Sequence, residues 1–119
     1  MIVLDASTLI LLAKSDLLPL LAEKTQIEIP PEVQQEATAR RELYDARMIE
    51  GMLRTGKIQV SKSVRPERRR QIQVDFGLEA GEAAALLLAK ENDQPLGTYD
   101  GPAIKAAKIM GIPFFTAIH

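Results

Sequence analysis

The chain begins Met1-Ile2-Val3-Leu4-Asp5-Ala6-Ser7-Thr8-Leu9-Ile10, and this stretch constrains the rest. Ile2-Val3-Leu4 is apolar with two β-branched residues, the mark of a short buried strand. Asp5 follows at once, and Leu9-Ile10-Leu11-Leu12-Ala13 then has the apolar pattern of a helix. Asp5 therefore stands where a strand ends and a helix is about to start. In an open parallel α/β sheet that carboxyl edge is where ligands bind. An acid at this point is either a helix cap or the first member of a charged site, and the stretch alone leaves both open.

The remaining chain alternates in the same manner. Thr8 to Ala13 reads as a helix capped by Asp5 or Ser7. Leu17, Leu18, Leu20 and Leu21 begin a second short helix, capped by Ser15 or Asp16, with Pro19 in its first turn. Ile27-Glu28-Ile29 is a brief strand stopped by Pro30-Pro31. From Pro31 one long helix is predicted to about Arg54, because Val33, Ala37, Tyr44, Met48 and Met52 fall on one stripe. Gly56 suits its C-terminal end. Lys57 to Val60 reads as a strand, Ser61 to Pro66 as a loop, and Glu67 to Val74 as a helix ending near Phe76-Gly77. Gly81 to Glu91 is the strongest helix, built of Ala, Leu and other good helix formers. It is apolar nearly all round, so it packs on more than one side. Pro95 to Thr98 is a strand, Asp100-Gly101 a turn, and Pro102 the start of a helix that Gly111 ends. Ile112 to Ile118 is the last strand. This order points to a parallel sheet with helices on both faces.

Composition narrows the chemistry. The 119 residues suit one domain, spanning 1–119. A hydrophobic fraction of 46% and a charged fraction of 26% are those of a soluble globular protein. Aromatics make up only 4%, so Leu, Ile, Val and Ala must build the core. No apolar run is long enough for a bilayer, and Asp5 interrupts any signal-peptide core, so no membrane partner and a cytoplasmic setting are expected. Cysteine is absent, which removes disulfides and thiolate metal sites. The one histidine, His119, lies at the end of the chain and argues against imidazole chemistry. The net charge is −1, although Arg40-Arg41 and the run Arg65, Arg68, Arg69, Arg70 are locally basic. The run could track a phosphate backbone. With Glu67 among them and no basic bias overall, a solvated, salt-bridged helix face is the better reading.

Any chemistry must therefore fall to carboxylates. Asp5 follows the first strand and Asp100 follows the strand ending at Thr98. In a parallel sheet both lie on one edge. Glu36, early in the long predicted helix, and Glu82, at the start of the Ala-Leu helix, are brought toward that edge, with Glu79 three residues before Glu82. Each acid alone is read most simply as a cap, a solvated helix residue or a complement to a helix dipole. Four such acids on one edge make a coincidence that a metal site does not require. Converging carboxylates repel and raise one another's pKa values, and a divalent cation removes the conflict. All-oxygen ligation suits Mg²⁺ or Mn²⁺, the ions of a metal-dependent phosphodiesterase.

These residues resemble the PIN-domain family, the fold of many VapC-type toxins and other RNA-cleaving nucleases. The likeness rests on Val3-Leu4-Asp5-Ala6-Ser7-Thr8-Leu9-Ile10, Ile29-Pro30-Pro31-Glu32-Val33-Gln34-Gln35-Glu36-Ala37, Gly81-Glu82-Ala83-Ala84-Ala85 and Thr98-Tyr99-Asp100-Gly101. It implies a three-layer α/β/α sandwich around a central parallel sheet. It also implies a four-acid site of Asp5, Glu36, Glu82 and Asp100 for Mg²⁺ or Mn²⁺, and ribonuclease activity on single-stranded RNA. Thr98 matches a hydroxyl residue that orients a carboxylate or a metal-bound water, and Ser7 a small polar residue after the first acid. Such proteins are often toxins that form homodimers and bind a small antitoxin protein. Three departures from the family pattern stand out. The third acid is Glu79 or Glu82, with Glu82 favoured by its Gly-Glu-Ala setting. Tyr99 replaces a further acid. Many relatives continue beyond His119, so this is a short member or lacks a C-terminal extension.

A catalytically silent PIN-like module that binds RNA or a protein partner is the alternative, favoured by Tyr99 at the fourth corner and by the stop at His119. A phosphatase of the haloacid-dehalogenase type would need Asp-x-Asp where this chain has Asp5-Ala6-Ser7. No Gly-x-Gly-x-x-Gly or Walker loop supports nucleotide binding.

Overall fold

In the computed structural model, which describes residues 1–116, five short strands form one wholly parallel sheet. In chain order the elements are β1 (Ile2–Leu4), α1 (Ala6–Lys14), α2 (Leu18–Lys24), β2 (Ile27–Ile29), α3 (Pro31–Ala37) and α4 (Tyr44–Arg54). There follow β3 (Ile58–Val60), α5 (Pro66–Phe76), α6 (Ala80–Asn92), β4 (Leu96–Gly97), α7 (Gly101–Met110) and β5 (Phe114–Phe115). Helices cover the sheet in the three-layer α/β/α arrangement. Part of the expected final strand, Ala117 and Ile118, lies outside the described residues, as does His119.

Strand order is β3-β2-β1-β4-β5. The chain therefore builds outward from β1 in one direction through β2 and β3, and in the other through β4 and β5. The crevice above β1 and β4, where the direction reverses, is the place at which α/β sheets bind ligands. Val3 pairs with Leu96 and Leu4 with Gly97 across this seam. The Asp5 N–H donates to the Gly97 carbonyl at 3.1 Å, which ties the two strand ends together. Gly97 is required at this point. A Cβ there would stand 2.5 Å from Leu4 Cδ2 and 2.9 Å from Phe115 Cζ.

Val3, Leu4, Ile27, Ile29, Ile58 and Leu96 from the strands are almost fully buried. Helix α6 explains its own composition. Every residue from Ala83 to Ala89 is buried, because the helix lies on β1 and β4 and also packs against α3, α5 and α7. Gly77, at φ +67°, ends α5 in the left-handed conformation, as its place after Phe76 predicts.

Two sequence expectations need correction. The helix predicted from Pro31 to Arg54 is two helices, α3 and α4, separated by the turn at 38–43. Thr38 ends α3, and its hydroxyl donates back to the Gln34 carbonyl at 2.7 Å. Both helices pack on α1, so the chain has to turn between them. The supposed stripe divides accordingly. Val33, Ala37 and Met52 are buried and Met48 is half-buried, but Tyr44 is exposed and its hydroxyl donates to Asp16. The cap of α2 also differs. Leu17 occupies that position without a side-chain bond, while the Ser15 hydroxyl closes the end of α1 on the Leu11 carbonyl at 2.8 Å.

Candidate active site

Asp5 sits in extended backbone between β1 and α1 and is almost wholly buried. One carboxylate oxygen, Oδ1, accepts from the Thr8 N–H at 2.9 Å and so caps α1. The other, Oδ2, is buried without a hydrogen-bond partner among the described residues. Asp100 is arranged alike at the start of α7, its Oδ2 accepting from the Ala103 N–H at 3.0 Å. Thr98 is fully buried, and its hydroxyl accepts from the Asp100 N–H at 3.2 Å. It therefore fixes the backbone from which the Asp100 carboxylate projects. Capping therefore occupies one carboxylate oxygen of each aspartate.

The glutamates arrive from α3 and α6. Glu82 is in the first turn of α6, and its Oε1 accepts from the Glu79 N–H at 3.1 Å, as in a capping box. Glu36 lies in the last turn of α3, which packs against α6. The close approach depends on Gly81, where a Cβ would meet Glu36 Oε1 at 2.9 Å. In the sequence Gly81 stands out only as a flank of Glu82, and its place under Glu36 follows from tertiary packing alone.

These side chains line one cavity of about 250 Å³, bounded by Asp5, Ala6, Ser7, Glu36, Glu79, Glu82 and Asp100. All four sequence-predicted acids are there. Both Glu79 and Glu82 line it. Ser7 is exposed at the edge. Among the described residues, no Lys, Arg or His lines the cavity. The electrostatic consequence falls on the glutamates. Burial first, then the Glu79 and Asp5 charges, raise the Glu36 carboxyl above its ordinary value. Glu82 is pushed up to about 7. Its partial burial is the largest cause, a hydrogen bond with Asp100 and the charges of Asp100 and Glu79 add to it, and the Glu79 N–H works against the rise.

As the side chains stand, no group of three or more His, Cys, Asp or Glu among the described residues is set to hold a metal ion. The donors nevertheless suit a hard cation. They are all carboxylate oxygens, and the buried, unpartnered Asp5 Oδ2 is an acceptor in want of a positive or donating group. The arginine run contributes elsewhere. Arg69 pairs with Glu32 at 3.3 Å between α5 and α3, and Arg65 with Glu91 at 3.5 Å. Half of the run is thus engaged within the molecule, as the salt-bridged reading anticipates.

A parallel α/β domain with a carboxylate-only cavity at its topological switch point is the class that fold and site define. The family model described as PIN domain matches residues 1–117, and the chain belongs to that family. It is a family of nuclease type whose members typically use divalent metals. Among solved structures, the crystal structure of PAE2754 from Pyrobaculum aerophilum is similar with a TM-score of 0.66 and 20% identity. The match covers 94% of this chain and 87% of that one, and at this identity it speaks for the fold. No curated protein sequence matches the chain. No helix among the described residues is long and apolar enough to cross a membrane.

Proposed function

We propose that this protein is a metal-dependent endoribonuclease that hydrolyses phosphodiester bonds of single-stranded RNA. The observation that carries the reading is Asp5 Oδ2, buried and, among the described residues, unpartnered, in a cavity that five carboxylates share and no described cationic side chain lines. Asp5, Glu36, Glu82 and Asp100 are the residues that would hold Mg²⁺ or Mn²⁺. A bound divalent ion supplies a Lewis acid for a phosphate oxygen and lowers the pKa of a water. The protein's own part is positioning and proton handling. Asp5 and Asp100, each fixed by one oxygen to its helix, present the other in a set direction. Glu82, whose carboxyl is raised to about 7, exchanges its proton near neutrality and would give it up as positive charge enters the cavity. The Ser7 hydroxyl, at the rim, would donate to a phosphate oxygen.

Asp5→Asn tests this directly. Asparagine caps a helix about as well as aspartate, so the fold is retained. Mn²⁺-dependent cleavage of single-stranded RNA should disappear, and undiminished cleavage would refute the assignment. Within the same reading the protein acts in the cytoplasm as a homodimeric toxin, held in check by a small antitoxin protein. Light scattering of the purified chain and co-purification with its genomic neighbour are the corresponding tests. A silent RNA- or protein-binding module is favoured by Tyr99, where an acid would be expected. It would be distinguished by a failure to bind Mn²⁺ at millimolar concentration.

A further inference from the structure

A second groove, of about 170 Å³, runs from the acidic cavity, and Glu36 lines both. It is bounded by Ile10 and Lys14 of α1, by Arg40 and Leu43 in the turn before α4, and by Asp45 in the first turn of α4. Asp45 is the unusual member. It is only 6% exposed, yet among the described residues its carboxylate makes no hydrogen bond and no ion pair. Its oxygens keep some access to solvent through the groove they line, and among the described residues no protein donor occupies them. Lys14 and Arg40 are exposed and enter no ion pair among the described residues.

We propose that this groove is a nucleotide subsite, holding the residue of an RNA strand next to the scissile phosphate. Asp45 accepts a hydrogen bond from the ribose 2′-hydroxyl, and Lys14 and Arg40 meet the flanking phosphate. The inference rests on the nuclease reading of the adjoining cavity and adds to it the basis for choosing RNA. A hydroxyl satisfies Asp45 without bringing positive charge beside Lys14 and Arg40, which a cationic side chain would do. Ile10 and Leu43 give the sugar or base an apolar wall. A deoxy strand in the same place would cover Asp45 and leave it unpaired, so the groove disfavours DNA.

The test uses the full chain in the Asp5→Asn background, so that the strand stays intact. Fluorescence polarisation would follow a labelled single-stranded RNA and its all-deoxy counterpart in the presence of Mg²⁺. Adding Asp45→Ala should weaken RNA binding about tenfold, the worth of a hydrogen bond to a charged group, and leave DNA binding where it was. Should Asp45→Ala unfold the helix end, Asp45→Asn preserves the size and an accepting carbonyl, and an intermediate loss for RNA alone is expected. Lys14→Ala with Arg40→Ala should weaken both strands. It should also reduce the salt dependence by about 0.7 in the slope of log K on log salt, the share of one phosphate contact. Arg68→Ala with Arg70→Ala, on α5, should change neither strand.

Equal loss of RNA and DNA binding in Asp45→Ala, or loss of neither, would overturn the subsite. So would tighter binding of a basic peptide by the Lys14→Ala, Arg40→Ala protein with RNA binding unmoved, which would mark the groove as a protein-docking surface. Metal-dependent cleavage by the wild type, with an unaltered RNA-to-DNA ratio in Asp45→Ala, removes the subsite and leaves the nuclease standing. Absence of both RNA binding and cleavage in the wild type removes the two together.

Discussion

The aspartates and the glutamates of the acidic cavity reach it by different routes. Asp5 and Asp100 are short side chains in the β-to-α junctions, where the backbone has already fixed their direction. Each gives one oxygen to the N–H three residues on. Glu36 and Glu82 are longer, come from separate helices, and bear the repulsion, with both carboxyls raised. The aspartate side is therefore preset, and the glutamate side adjusts. A cavity built in this way should take up a cation with small side-chain movements and a release of protons.

The largest effect separates the two functions of Asp5. Asp5→Asn keeps the cap and should lower RNA cleavage on the order of a thousandfold, since several kcal/mol of charge stabilisation is lost. Asp5→Ala should be equally inactive and also less stable by about 1 kcal/mol, from loss of the cap. Thermal melts alongside cleavage assays read both.

On the glutamate side, Gly81→Ala is the sharper probe. The new Cβ would stand 2.9 Å from Glu36 Oε1, the far end of a flexible side chain, while its other neighbours are at 4.0 Å. The carboxylate should swing away at little cost to the fold, and alanine favours the helix by up to about 1 kcal/mol. We expect unchanged or higher stability with Mn²⁺ affinity about tenfold weaker, roughly 1.4 kcal/mol. A drop in stability without a change in metal affinity would show that Gly81 serves packing alone.

The tether of α3 comes next. Arg69 and Glu32 are mostly buried, and Glu32 Oε1 and Arg69 Nε have no hydrogen-bond partner among the described residues. Arg69→Met should leave Glu32 uncompensated and lower stability by about 1–3 kcal/mol. Arg65→Met, which breaks the more exposed pair with Glu91, should fall within about 0.5 kcal/mol. Comparable urea midpoints for the two variants would remove the tether from consideration.

The smallest effect is on pH dependence. Raised glutamate pKa values mean that the folded state holds more protons than the unfolded state between the ordinary value of 4.5 and about 7. Metal-free stability contributed by these groups is complete below 4.5 and should be lost as pH rises through about 7. Glu82→Gln should flatten that decline. A decline of equal size in the variant would place its source elsewhere.

The strand-helix alternation and the four acids were legible because they are local. Asp5 and Asp100 are marked by the strand before them and the helix after, and Glu82 by Gly81 and the alanines that follow. The break at Thr38 was not legible, since Arg40-Arg41-Glu42 contains no helix breaker and the apolar spacing from Ala37 to Tyr44 keeps a helical period. Only packing of both helices on α1 forces the turn. The same turn places Arg40 and Asp45 beside Lys14, so the second groove lay beyond reach of the sequence as well. The burial of Asp45 depends on tertiary contacts, and a first-turn acid reads as solvated.

Titration calorimetry with Mn²⁺ near pH 6.5, repeated in buffers of different ionisation enthalpy, goes to the heart of the matter. The wild type should bind at millimolar or lower concentration and release protons as it does so, and Asp5→Asn should bind far more weakly. Absence of heat from the wild type at millimolar Mn²⁺, or binding that Asp5→Asn leaves intact, would contradict a cation site among these carboxylates.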